Sequence, residues 1–135
     1  MNIELQVGVK ILLKNKEGKY LLLKRSAEKY PEVNDLWDIV GGRIDAGVSL
    51  FENLKREVKE EINLDLEGEQ TLIAAQDILK ASGRHIVRLT YLGIINGEPE
   101  LDSDHTEFGW FTMEEIKALD GLDVYFKELV SENKF

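Results

Sequence analysis

The sequence contains no cysteine, only two prolines and no long hydrophobic run in its 135 residues. Without cysteine there are no disulfides and no thiolate-bound metals, which fits a reducing cytoplasm. No apolar segment approaches the roughly 20 residues of a membrane span. The N-terminal stretch lacks a basic region ahead of an apolar segment, so we expect no secretory signal. The length suits one packed core, and we expect a single domain over residues 1–135.

Basic residues are also scarce. Lysine and arginine total 17 against 26 aspartates and glutamates, which gives a net charge of −9. A protein this acidic has no general attraction for the backbone of DNA or RNA, so we exclude a nucleic-acid polymer as partner. A small nucleotide stays compatible with this charge if local cations, such as a bound metal, offset the repulsion.

Apolar and β-branched runs alternate with turn signals along the chain, which predicts a sheet with flanking helices. We predict strands over 6–13, 19–23, 36–40, 71–79, 86–95 and 108–112, and helices over 50–62, 113–119 and 122–130. The turn at 15–18 predicts a hairpin of the first two strands, and residues 26–35 form a loop. Asn96-Gly97 is the signal for a second, tight hairpin.

The helix that follows Ser49 carries two neighbouring stripes. Ser49 is a good N-cap with Glu52 three residues on, and Asn63 suits the left-handed residue that ends a helix. Five apolar residues recur at helical spacing and predict one buried face: Leu50, Phe51, Leu54, Val58 and Ile62. Three glutamates lie three or four residues apart and form an acidic stripe directly beside it: Glu57, Glu60 and Glu61.

The acidic stripe indicates a metal site. Like charges at this spacing destabilise a helix by roughly 0.2–0.5 kcal/mol a pair, and Lys55 and Lys59 point to the opposite flank. Glutamates on a helix are more often a solvated face. However, Gly41-Gly42 just upstream lets the backbone approach an ion closely, and carboxylates without a paired cation suit a hard ion such as Mg²⁺.

The segment 42–64 resembles the Nudix box, G-x5-E-x7-R-E-U-x-E-E-x-G-U, in which U is aliphatic. Seven positions match: Gly42, Arg56, Glu57, Val58, Glu60, Glu61 and Leu64. Val48 stands where the family has Glu, and Asn63 where it has Gly. The family's Glu commonly braces the arginine near the metals, so we expect Arg56 to pair with Glu52 instead.

The resemblance implies an α/β (α+β) Nudix fold, a mixed β-sheet sandwiched between helices, and favours strand over helix for 71–79. It implies that the Gly41 carbonyl and the three glutamates of the stripe hold Mg²⁺ or Mn²⁺, while Arg56 orients the glutamates. Three residues stay open as the general base: Glu60, Asp104 and Glu107. Three more are expected at the substrate: Arg25, Gly42 and Trp37. His85 and Arg88 are weaker candidates for facing a ligand.

The reaction that the resemblance implies is hydrolysis of a nucleoside diphosphate linked to a group X. If X is phosphate, the activity is a MutT-type nucleoside triphosphate pyrophosphatase, which the short chain favours. If X is a sugar, it is an ADP-ribose or nucleotide-sugar pyrophosphatase. The alternative of another class is a Nudix-like module that binds a nucleotide without cleaving it, which Val48 favours and the retained glutamates oppose. Family members are often dimers, so analogy suggests a homodimer.

Overall fold

The computed structural model describes residues 2–34 and 36–135, so Met1 and Asp35, the last residue of the predicted 26–35 loop, lie outside it. Along the described chain the elements are β1 (Glu4–Lys14), β2 (Tyr20–Arg25), β3 (Trp37–Asp38), β4 (Val40–Arg43), α1 (Leu50–Ile62), β5 (Glu67–Ile78), β6 (Arg84–Ile94), β7 (His105–Phe111), α2 (Met113–Ala118) and α3 (Val124–Ser131).

The strands form one mixed sheet with β1 at its centre. β1 pairs with β6 in parallel along its whole length, and β5 continues that side antiparallel to β6. On its other side β1 pairs antiparallel with β4 and meets β2 at Lys14 and Tyr20. β2 then pairs with β3 and β7. The predicted first hairpin and the strand over 71–79 are therefore confirmed.

The predicted hairpin at Asn96-Gly97 is wrong. β7 pairs with β2, whereas β6 has β1 and β5 as its neighbours. A tight Asn-Gly hairpin turn needs positive φ at both residues, but only Gly97 has it, at 112°. The Asn96 side chain instead donates to Glu67 at 3.1 Å, so the chain turns away from β6 and crosses to the other half of the sheet.

Alternate residues of the central strands pack into two cores on opposite faces of the sheet. One core joins Val9 and Ile11 to α1 through Leu54 and Val58. The other joins Leu12 and Leu22 to α2 and α3, through Ile116, Phe126 and Val130. The sheet thus lies between α1 and the α2–α3 pair, which confirms the predicted fold class.

The buried face of α1 is narrower than the sequence predicts. Leu54, Val58 and Ile62 are buried, but Leu50 and Phe51 in the first turn are 39% and 45% exposed. Two acids, Glu57 and Glu61, are buried beside the apolar residues. Among the described residues, no helix has the length and apolar character to span a membrane.

Candidate active site

Both ends of α1 are fixed by local hydrogen bonds, and this sets where its acids point. The Ser49 hydroxyl accepts from the Glu52 N–H at 3.1 Å. Asn63 adopts the left-handed conformation at φ 55° and donates its N–H to Lys59. Glu57 and Glu61, four residues apart, therefore face β4 together. The predicted helix is confirmed, but of the three predicted acids only Glu57 and Glu61 face β4, and Glu60 is exposed on the flank of the helix.

The glycines of β4 let its backbone lie directly against the two acids. The Gly41 N–H donates to Glu61 Oε1 at 3.3 Å. Gly41 has φ of 143°, and a Cβ there would lie 2.1 Å from the Val9 carbonyl oxygen. A Cβ on Gly42 would lie 2.8 Å from both oxygens of Glu57. Only glycine fits at these two positions, because any side chain would displace a strand or a carboxylate.

Glu61 is a buried carboxyl with a second buried carboxyl, Glu57, as its neighbour. Burial raises the pKa of Glu61, the Lys10 ammonium opposes that rise, and the hydrogen bond and charge of Glu57 add to it. Two neighbouring buried acids share a proton or need a cation to stay ionised together. Mg²⁺ binds through one or two carboxylates with water and substrate phosphate. Glu57, Glu61 and the Gly41 carbonyl therefore fit such an ion.

Arg56 braces this pair from outside the cleft. Its guanidinium donates to Glu57 at 2.9 Å and to the Arg43 carbonyl at 3.1 Å, and it also bonds Asp45. The predicted pairing with Glu52 is wrong because the loop before α1 brings Asp45 closer. Asp45 stands three residues before Val48, and it was missed because nothing in the sequence shows how that loop folds.

Val48 is 43% exposed at the end of the loop. We expect Val48→Glu to change the free energy of unfolding by no more than about 0.5 kcal/mol, as for other exposed substitutions. Turnover should change little, because Asp45 already braces Arg56. A thermal melt checks the first expectation. Val58→Glu, at a fully buried position on α1, is the control that should unfold, and a Val48→Glu variant that melts with it would contradict the loop geometry.

A cleft of about 410 Å³ opens over these acids. Its lining includes six of the predicted site residues: Arg25, Gly41, Gly42, Glu57, Glu61 and Asp104. The Glu60 side chain is 59% exposed and lies 3.6 Å from Arg56 on the flank of α1. Glu107 pairs across the sheet with Lys24 at 3.4 Å, and Trp37 packs edge-on against Phe111. The assignments of Glu60, Glu107 and Trp37 stay predictions.

Within residues 2–34 and 36–135, no three acidic or histidine side chains lie close enough together to hold a metal. The acidic loop contributes to the other wall of the cleft. There Asp104 pairs with Lys29 at 3.1 Å, and His105 Nδ1 lies 2.7 Å from Asp102 Oδ1. Asp102 and His105 were not predicted. A metal at Glu57 and Glu61 would therefore complete its coordination with water or phosphate.

The sequence analysis named Arg25 and Arg88 as candidates but did not predict the buried charge network that joins them under the cleft. Asp38 is 3% exposed and lies 3.1 Å from each of Lys10, Arg25 and Arg88. Burial alone would raise the pKa of Asp38, but these three cations together hold it well below its ordinary value. Arg88 also pairs with Asp123 at 3.1 Å. The one signal in the sequence was an aspartate inside an apolar strand.

A second lobe of about 320 Å³ adjoins the acidic cleft. Both cavities share Lys10, Arg25 and the β4 glycines. The lining of the second lobe adds the apolar and aromatic side chains of Ile78, Ile86 and Tyr125 and the charged side chains of Arg88 and Asp123. Arg88 lines this lobe, and its contact with a ligand stays a prediction, whereas His85 pairs with Asp77 at 2.7 Å.

Sequence and structure comparisons agree with this geometry. The sequence profile of the NUDIX domain matches residues 4–130. The chain belongs to the NUDIX family. A MutT protein from Methanosarcina mazei has the same fold, with a TM-score of 0.83 at 24% identity over 98% of this chain and 94% of that one. A MutT NUDIX hydrolase from Burkholderia pseudomallei gives 0.78 at 25% identity over 95% and 97%.

One curated protein is similar to this chain in sequence. The Mycobacterium tuberculosis protein named "Putative 8-oxo-dGTP diphosphatase 2" is 28% identical over 90 residues, which is 67% of this chain. The match spans 63% of the length of that relative.

Proposed function

We propose that this NUDIX domain hydrolyses the phosphoanhydride of a nucleoside diphosphate linked to a group X, with Mg²⁺ or Mn²⁺ as cofactor. The observation that carries the proposal is the buried pair Glu57 and Glu61 in an open cleft with Lys10 and Arg25. A site with both signs of charge suits a polyphosphate that arrives with divalent ions. A purely structural domain would gain nothing from burying two neighbouring carboxylates.

Each residue has a role that follows from its position. Glu57, Glu61 and the Gly41 carbonyl would hold the divalent ion, which supplies an activated water and a clamp for the phosphate oxygens. Arg25 faces the same cleft and would bind phosphate, while Lys10 adds its positive charge to the cleft wall. Arg56 holds Glu57 in its orientation. Among the three candidates for the general base, Asp104 lines the cleft, and a base must reach the attacking water.

The MutT type of substrate, a nucleoside triphosphate, is favoured over ADP-ribose. The second lobe of about 320 Å³ beside the cleft combines apolar and charged walls and suits one nucleoside with its base against Tyr125. The M. tuberculosis relative carries the name of an 8-oxo-dGTP diphosphatase, so oxidised nucleotides belong among the first compounds to assay.

The test is a screen of dGTP, 8-oxo-dGTP and ADP-ribose with Mg²⁺ or Mn²⁺, scored by product analysis. We expect pyrophosphate and a nucleoside monophosphate from the triphosphates. AMP and ribose 5-phosphate from ADP-ribose alone would move the assignment to the sugar-linked class. If no compound is cleaved but a nucleotide raises the melting temperature, the binding module is the better description.

We further propose that residues 1–135 act as one cytoplasmic domain whose partner is the small nucleotide, with no nucleic-acid polymer or membrane involved. The net charge of −9 supports this, because it repels both nucleic acid and anionic lipid. A homodimer is proposed from family analogy, and light scattering at micromolar concentration would distinguish it from a monomer.

A further inference from the structure

The side chain of Lys10 ends at the same carbonyl that the metal site is expected to use. Lys10 lies opposite Gly41 where β1 pairs with β4. Its ammonium lies 3.1 Å from the Ile39 carbonyl oxygen and 3.3 Å from the Gly41 carbonyl oxygen. Asp38 Oδ2 lies 3.1 Å from the same ammonium as its ion-pair partner. Two backbone carbonyls and one carboxylate therefore surround the Lys10 ammonium.

One positive charge therefore already lies among the groups that would bind a divalent ion. The Gly41 N–H donates to Glu61, and the charge of Lys10 acts on the same Glu61 carboxylate. Lys10 is also largely buried, at 13% exposure of its side chain. In such a setting water screens charges poorly, so the ammonium and an incoming cation repel each other strongly.

We propose that Lys10 is a built-in cation that competes with the divalent ion for the Gly41 carbonyl. In the metal-free protein the ammonium holds the bend at Gly41. When the ion binds, the ammonium gives up that carbonyl and keeps its hydrogen bond to the Ile39 carbonyl and its ion pair with Asp38. The inference rests on the proposed function, because it requires a divalent ion at Glu57 and Glu61.

The sign of one measurement separates this role from a purely structural one. If Lys10 only fastens β4 to β1, its removal loosens the site and weakens metal binding. If Lys10 competes with the metal, its removal strengthens metal binding. Asp38 retains Arg25 and Arg88 after the loss of Lys10, so the network stays partly neutralised and the fold is expected to persist.

The experiment is a Mn²⁺ titration without nucleotide, followed by the electron paramagnetic resonance signal of free Mn²⁺. The variant is Lys10→Met, which keeps the length of the side chain and removes its charge. The matched control is Lys14→Met, which removes the same charge from the same strand where Lys14 lies over the Tyr20 ring. We expect Lys10→Met to bind Mn²⁺ on the order of tenfold more tightly than wild type, and Lys14→Met to stay within about twofold.

Unchanged or weaker binding by Lys10→Met, or equal tightening by Lys14→Met, would overturn the role of Lys10 and leave the proposed function standing. A wild-type protein that binds no Mn²⁺ would overturn both. If Lys10→Met fails to fold, the wild type labelled with ¹³C at lysine Cε answers the same question. Mg²⁺ should then shift the Lys10 resonance, assigned by its loss in Lys10→Arg, and an unmoved resonance would refute the competition.

Discussion

Glu57→Gln should lower metal-dependent turnover by roughly 10³-fold, as expected when a charge that stabilises the transition state is removed. Glutamine has the shape of glutamate, and its carbonyl oxygen still accepts the 2.9 Å hydrogen bond from Arg56. The fold should therefore persist while the site loses one of its two buried carboxylates. Steady-state rates over a Mn²⁺ or Mg²⁺ series, with circular dichroism of the same samples, measure both effects.

Two further glutamates of α1 serve as comparisons for this variant. Glu52→Gln removes an equal charge from an exposed position on the same helix and should leave turnover unchanged. Glu60→Gln tests a residue that lies outside the cleft beside Arg56. If Glu60→Gln lowers turnover as much as Glu57→Gln does, Glu60 would have to act directly in the reaction. A Glu57→Gln variant with the rate of the wild type would rule out the metal site.

The sequence predicts α1 well because its information is local. The N-cap, the left-handed Asn63 and the spacing of Glu57 and Glu61 all lie within fifteen residues, and each acts through neighbours on the same helix. The strands β1 and β2 are predicted for the same reason, since a short turn joins them. These two local units supply four of the residues that line the cleft, Lys10, Arg25, Glu57 and Glu61.

What the sequence does not show depends on pairing between distant segments. Arg56 pairs with Asp45 and not with Glu52 because the loop before α1 folds back onto the helix. The residue spacing within the helix cannot predict the path of that loop. Lys10 lies on β1, Asp38 on β3 just before β4, and Arg88 on β6. These residues meet only when β1 pairs with β4 on one side and with β6 on the other. The Asn96-Gly97 hairpin fails likewise, because the long pairing of β6 with β1 outweighs a local turn preference.

Asp38→Asn should destabilise the protein by about 3–5 kcal/mol, the usual effect of removing one partner from a buried ion cluster. Three cations, Lys10, Arg25 and Arg88, would then lack the charge that each approaches at 3.1 Å. We expect the melting temperature to fall by about 10 °C or more. Differential scanning calorimetry of the metal-free protein measures it directly.

The pH dependence of this loss follows from the sign of the pKa shift. The pKa of Asp38 in the folded protein lies well below its ordinary value of 3.8. Its contribution to the free energy of unfolding is therefore complete above pH 3.8 and disappears only as acid protonates the carboxylate. The gap in stability between wild type and variant should therefore be the same at pH 7 and pH 5 and shrink only below about pH 4.

Glu107→Gln is the matched comparison, because it removes a carboxylate from the exposed ion pair with Lys24. Exposed pairs contribute about 0–1 kcal/mol, so this variant should melt close to the wild type. If Asp38→Asn also melts close to the wild-type temperature, the three buried cations do not need Asp38 to remain in the folded protein. In that case the apolar contacts of β1 and β2 alone hold the floor of the cleft.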